Sequence, residues 1–167
     1  MFRYIFAVLL LIVAVANATV DLEALYRAAN ITIPASQCAS AASKAGHYAS
    51  CGCPYVWGGT SCGCGGSGGM DCSGLVYTSY REAGYTGIQR TTFEQINQGS
   101  SCGSCSPSNL GSCKVGALFF YCFSQPCPDH VVMYLGGGKA AECPEPGQDC
   151  HIITPYSESY YACRTLC

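Results

Sequence analysis

The chain carries fifteen cysteines, Cys38, Cys51, Cys53, Cys62, Cys64, Cys72, Cys102, Cys105, Cys113, Cys122, Cys127, Cys143, Cys150, Cys163 and Cys167. Fifteen is odd, so one thiol is left over or shared between molecules, and seven bridges with one free thiol is the simplest partition. Cys72 has the setting best suited to chemistry. It follows Asp71 at the start of a stretch in which Cys72, Leu75, Val76, Ser79, Tyr80 and Ala83 recur at spacings of three and four, the period of a helix. A sulfur in the first turn lies beside unsatisfied backbone N–H groups and the positive end of the helix dipole, a setting that favours thiolate. A histidine on a neighbouring strand would take the proton and hold the two groups as an ion pair. Composition alone equally allows Cys72 to be an ordinary bridge member, and the pairing of the remaining cysteines stays open.

Zinc is the competing use of so many thiols. Cys102 and Cys105, with two residues between them, have a spacing found in zinc sites, but Cys51/Cys53 and Cys62/Cys64, with one between, match the usual two to four poorly, and an oxidising compartment removes the thiolates that zinc needs. Disulfides are therefore expected, and no metal.

The elements that must position the sulfur read as follows. A short helix is predicted over residues 21–29, interrupted by residues 31–34, and an alanine-rich helix over 36–50. Residues 51–69, rich in glycine and cysteine, read as a stapled loop. Asp71 is placed to cap the next helix and Gly84 to end it. A short helix over 91–96 and a long loop over 98–113 follow. Strands are predicted over 115–122, with both faces covered, over 130–135, over 139–143 and over 151–154, with a turn at Gly136-Gly137-Gly138. Helices followed by consecutive antiparallel strands argue for an α+β fold.

Three blocks occur in order: Pro54-Tyr55-Val56-Trp57-Gly58-Gly59, Asp71-Cys72-Ser73-Gly74-Leu75-Val76, and His130-Val131-Val132-Met133-Tyr134-Leu135-Gly136. Together they resemble the NlpC/P60 family of cysteine peptidases. Residues 115–120 look like the family strand before the histidine strand, and Arg90-Thr91-Thr92 with Gln95 looks like the segment after the nucleophile helix. The resemblance runs from about Cys38 to Tyr156. It implies a papain-like core, with a nucleophile helix packed on an antiparallel sheet.

It also implies that Cys72 is the nucleophile and His130 the base. The third family position, commonly histidine, falls on Glu142, twelve residues after His130. A carboxylate there can accept the second imidazole N–H and stabilise the imidazolium. Strand alternation allows His130 and Glu142 to face each other across the turn, with His151 as the rival orienter. Tyr55, Asp71 and Ser73 resemble substrate contacts. Asp71 as a helix cap, Ser73 as a first-turn residue and Glu142 as a solvent-facing strand residue are the plainer readings. Trp57 reads as core or cleft wall. The implied substrate is the stem peptide of peptidoglycan, cut between D-glutamate and the following diamino acid, with no cofactor. An amidase, an acyltransferase or a non-catalytic wall-binding protein on the same scaffold are the alternatives.

The rest of the chain bounds the setting. Residues 1–18 combine Arg3, an apolar run and Ala16-Asn17-Ala18, the form of a secretory signal peptide. The run is shorter than the ~20 apolar residues that span a bilayer, and no later segment is apolar enough to cross one. The formal net charge is −2, and the few basic residues form no stripe, which argues against a nucleic-acid partner. A short helical extension over residues 19–35, a catalytic domain over 36–167, secretion and a monomeric state are the resulting expectations. Asn30-Ile31-Thr32 is a glycosylation sequon.

Overall fold

The computed structural model describes residues 32–167. The expected signal segment, the helix over 21–29 and Asn30 lie outside them.

Helix α1, Ala35–Ser50, follows Pro34. Alanine gives it high helical propensity, and Cys38, Ala41, Ala42, Ala45, Tyr48 and Ala49 form its buried face. The small side chains let it lie close against helix α2, Cys72–Glu82, which buries Leu75, Val76, Ser79 and Tyr80. Helix α2 stops as glycine chemistry dictates. Gly84 adopts φ +89°, its N–H donates to the Arg81 carbonyl at 3.0 Å, and the Tyr85 N–H donates to the Tyr80 carbonyl at 2.9 Å, the paired bonds of a Schellman cap.

Between the two helices the expected loop contains a hairpin, β1 (Thr60–Gly63) with β2 (Ser67–Met70). Its eight residues are mostly glycine and serine, with Thr60 the one β-branched residue and no aromatic among them, so they give little of the signal by which strands are read. Bridges Cys51–Cys64 and Cys53–Cys62 staple it to the end of α1.

A short helix α3, Thr92–Gln95, begins with the Thr91 N–H donating to Glu94 Oε2 at 3.1 Å. The main sheet then assembles from β3 (Ser100–Ser101), β4 (Leu118–Tyr121), β5 (His130–Gly136), β6 (Lys139–Glu142), β7 (His151–Ile153) and β8 (Tyr160–Thr165), in the order β3-β8-β4-β5-β6-β7. Every pairing is antiparallel. Strand β8 was not expected from sequence, and it takes the place beside β4.

Both faces of the sheet are covered, which explains the unbroken apolar run of β4. Leu118, Phe120, Val131 and Met133 pack under the helices. Phe119, Tyr121, Val132 and Tyr134 pack on the other side with Cys105, Cys163, Tyr156 and Tyr160. Bridges Cys105–Cys113 and Cys102–Cys163 close the 98–113 segment and tie it to β8. Cys38–Cys167 joins α1 to the last residue of the sequence. Cys122–Cys127 and Cys143–Cys150 close the loops after β4 and β6.

Candidate active site

Seven bridges use fourteen cysteines, and the free one is Cys72. It is the first residue of α2 and is buried. Asp71 caps the helix from an extended backbone conformation, its Oδ1 accepting the Gly74 N–H at 2.7 Å. The cap thus uses the N–H of Gly74 and not that of Cys72.

Asp71 does more than cap. Its Oδ2 accepts the Gly58 N–H at 2.8 Å and Arg90 Nη2 at 2.9 Å. Arg90 Nη1 donates to Ser73 Oγ at 2.8 Å, and Ser73 Oγ–H donates to Asp71 Oδ1 at 3.2 Å. Gln95, fully buried, donates from Nε2 to the Ser73 carbonyl at 3.0 Å and to the Gln89 carbonyl at 2.8 Å. The first turn of α2 is therefore clamped from both sides. Gly74 is required by the same packing, since a Cβ there would fall 2.0 Å from the Gly59 carbonyl oxygen.

His130 opens β5 and is buried. Its Nε2 lies 2.9 Å from Glu142 Oε2 on β6, which leaves Nδ1 for the sulfur. Burial disfavours charge on this ring. The hydrogen bonds to Cys72 and Glu142 and the negative charge of both outweigh burial, and its pKa rises from 6.5 to about 9. A protonated imidazole held between the sulfur and the carboxylate is the state this geometry favours. Glu142 is buried rather than solvent-facing. It receives two further groups, the Tyr156 hydroxyl at Oε2 (3.2 Å) and His151 Nε2 at Oε1 (3.2 Å).

Tyr55 is half-buried at the end of the chain segment that pairs with Met70. Burial foremost, then the negative charges of Cys72 and Asp71, push its phenol up to about 12, with Arg90 opposing. It stays a hydroxyl donor near the sulfur at neutral pH.

Two cavities flank the pair. One of about 330 Å³ touches Cys72 and is walled by Trp57, Arg90 and Phe93. The other, about 510 Å³, touches His130 and Glu142 and is walled by Phe123, Glu145 and Tyr156. Asp129 borders both. Trp57 is 83% exposed, so it is cleft wall and not core. Three groups of close potential metal ligands exist among the described residues, around Cys51, Cys53 and Cys102. Every cysteine in them is bridged, and a bridged sulfur does not offer the thiolate that zinc takes.

The NlpC/P60 family pattern matches residues 52–167. The chain belongs to the NlpC/P60 family. Among its NlpC/P60 relatives, it is 33% identical over 118 residues to the gamma-D-glutamyl-L-lysine dipeptidyl-peptidase of Bacillus subtilis, covering 70% of this chain and 35% of that one. It is 37% identical over 111 residues to the murein DD-endopeptidase MepH of Escherichia coli, covering 66% and 38%. The chain thus spans little more than a third of the length of these curated relatives. The solved peptidoglycan hydrolase RipB of Mycobacterium tuberculosis superposes with a TM-score of 0.59 at 26% identity, over 80% of this chain and 68% of that one.

Within this NlpC/P60 domain Asp71, Cys72 and Ser73 line the first cavity and His130 and Glu142 the second, while Tyr55 lines neither and is near enough to Cys72 to feel its charge. Cys72, His130 and Glu142 form one chain of contacts. Asp71 and Ser73 flank Cys72 in the chain, but their polar side-chain atoms are engaged with Arg90, with each other and with the α2 backbone. Sequence reasoning gave no role to Arg90, Gln95 or Tyr156. The usable signal for Arg90 and Gln95 was their place in the block that resembles the segment after the nucleophile helix.

Proposed function

We propose that this chain is a secreted peptidoglycan hydrolase, a cysteine endopeptidase that cleaves stem peptides between D-glutamate and the following diamino acid. The observation that carries the reading is one unbridged sulfur among fifteen cysteines, set at a helix start against an imidazole whose other nitrogen is held by a carboxylate. The activities named for its relatives support the substrate class. The family resemblance and the name of the Bacillus subtilis relative favour this bond, while the Escherichia coli relative is named for a DD bond.

Cys72 Sγ attacks the scissile carbonyl carbon, and its electron pair forms the S–C bond. As the tetrahedral intermediate collapses the C–N bond breaks, and the proton on His130 goes to the leaving amine. Water then attacks the thioester with His130 taking its proton, the C–S bond breaks, and the acid product leaves thiolate and imidazolium restored. Glu142 keeps the imidazole oriented through both half-reactions. The Cys72 N–H and the Tyr55 hydroxyl are the donors for the oxyanion, each worth about 3 kcal/mol to the barrier.

The bridges fit an extracellular site, since disulfides persist in oxidising compartments, and no described helix is long and apolar enough to cross a membrane. Residues 1–18 act as the signal peptide in this reading, followed by the 19–35 extension and a monomeric catalytic domain.

Digestion of purified peptidoglycan by the wild type and by Cys72→Ala, read by mass spectrometry, tests the proposal. Wild type is expected to leave a dipeptide on the sugar, and Cys72→Ala to leave the wall intact. Product lacking the whole stem would reassign the enzyme as an amidase, and digestion by Cys72→Ala would remove the mechanism.

A further inference from the structure

Glu142 has a second imidazole partner that the proposed chemistry leaves idle. His151 sits directly opposite Glu142 in the β6–β7 register, and its Nε2 lies 3.2 Å from Oε1, the carboxylate oxygen turned away from His130. The far side of the ring is also held, with Nδ1 2.8 Å from the carbonyl oxygen of Asp149. A carbonyl oxygen only accepts, so Nδ1 carries a hydrogen. Asp149 precedes Cys150, which is bridged to Cys143 next to Glu142. The ring is thus fixed at two points although its side chain is 44% exposed.

The division of contacts matters. His130 and Tyr156 both meet Oε2. Two contacts to one oxygen leave the carboxylate free to swing about it, whereas a third contact at Oε1 fixes its plane. His151 meets Oε1 while His130 meets Oε2, so the two rings hold opposite oxygens of the same carboxylate. With a hydrogen on Nε2 as well, the ring offers a donor at each end, one toward the Asp149 carbonyl and one toward Oε1.

We propose that His151 is a positioning residue that acts through Glu142, holding the carboxylate in the orientation that presents Oε2 to His130. Holding a functional side chain through a neighbour behind it is the general means by which sites keep their geometry. The inference rests on the reading of Cys72 and His130 as the reacting pair.

A double-mutant cycle separates this role from a merely structural one, because a residue acting only through Glu142 loses its effect once Glu142 is changed. Wild type, His151→Ala, Glu142→Gln and the double variant are compared by two readouts, stem-peptide hydrolysis and the rate of Cys72 alkylation by iodoacetamide at pH 6. His151→Ala is expected to lower kcat about tenfold with KM within about twofold, and to slow alkylation about fivefold. In the Glu142→Gln background the same change is expected to alter either rate less than about twofold. His151→Gln, which returns a donor toward Oε1, is expected to recover most of the alkylation rate. Equal losses in both backgrounds, a rise in KM alone, or an unchanged alkylation rate would overturn the proposal. Alkylation needs no peptidoglycan, so it decides the role of His151 even if the assigned substrate is wrong.

Discussion

His130 Nε2 and Glu142 Oε2 stand 2.9 Å apart although the two residues are not cross-strand partners. Met133 pairs with Ala141, so the same register continued one residue puts Glu142 opposite Val132. The contact is therefore a diagonal one, within reach of long side chains on one face of an antiparallel pair. The register shift between Tyr134 and Gly136 sets that face. Without it Glu142 would turn to the other side of the sheet.

Replacing Glu142 by glutamine keeps the shape and removes the charge. His130 loses one of the two anions that raise its pKa to about 9 against burial. The alkaline limb of kcat/KM, where the acid for the leaving amine is lost, is expected near pH 9 in wild type and at lower pH in Glu142→Gln. A loss of about 10- to 100-fold in kcat/KM at pH 7 should accompany the shift. A pH–rate profile checks both, and an unmoved limb would assign Glu142 no electrostatic role.

Stability should report the same group. The folded pKa of His130 lies above its ordinary 6.5, so its contribution to folding is fully present below about pH 6.5 and is lost as pH rises through about 9. Urea midpoints, with bridges intact, should fall over that window in wild type and fall less in His130→Gln. Parallel curves would contradict the assignment.

Gly74 offers a sharp test of local packing. In an open helix, Gly→Ala stabilises by about 1 kcal/mol. Here the new Cβ would fall 2.0 Å from a backbone oxygen and 2.9 Å from Asp71 Oδ1. Gly74→Ala is therefore expected to destabilise by about 2 kcal/mol and to slow alkylation of Cys72, measured by denaturation and by thiol kinetics.

Much of this site was legible because its chemistry is local in sequence. Asp71 announces a helix start, Cys72 occupies the first turn, and the period of Leu75, Val76, Ser79 and Tyr80 gives the buried face. The apolar runs of β4 and β5 show as strands because both sheet faces are covered. The clamp by Arg90 and Gln95 was not legible, since it joins residues 17 to 22 positions from Ser73 through side-chain geometry alone. Tyr156 reaches Glu142 by the same kind of long-range contact. The β1–β2 hairpin escaped because glycine and serine carry no strand signal. Strand β8 escaped because its partner β4 lies about forty residues earlier and its burial alternates only weakly. The disulfide pairing was beyond sequence altogether, because it follows from which loops the sheet order brings together.

The bridge between Cys38 and Cys167 spans 129 residues. In the chain-entropy account a loop of that size is worth roughly 5 kcal/mol. The double variant Cys38→Ser/Cys167→Ser should lose about that much stability in urea while keeping the alkylation rate of Cys72 within about twofold, because the bridge lies at the opposite end of α1 from the hairpin bridges beside the site. Thermal inactivation that is equally fast with and without reductant would show that the bridges contribute nothing.

The most direct measurement is a count of reactive sulfurs. Freshly purified protein, never reduced, is treated with iodoacetamide, digested and mapped by mass. The account predicts one adduct per chain, on Cys72, with activity falling in step with labelling. Recovery of Cys72 in a disulfide-linked peptide, or full activity after it is labelled, would contradict it.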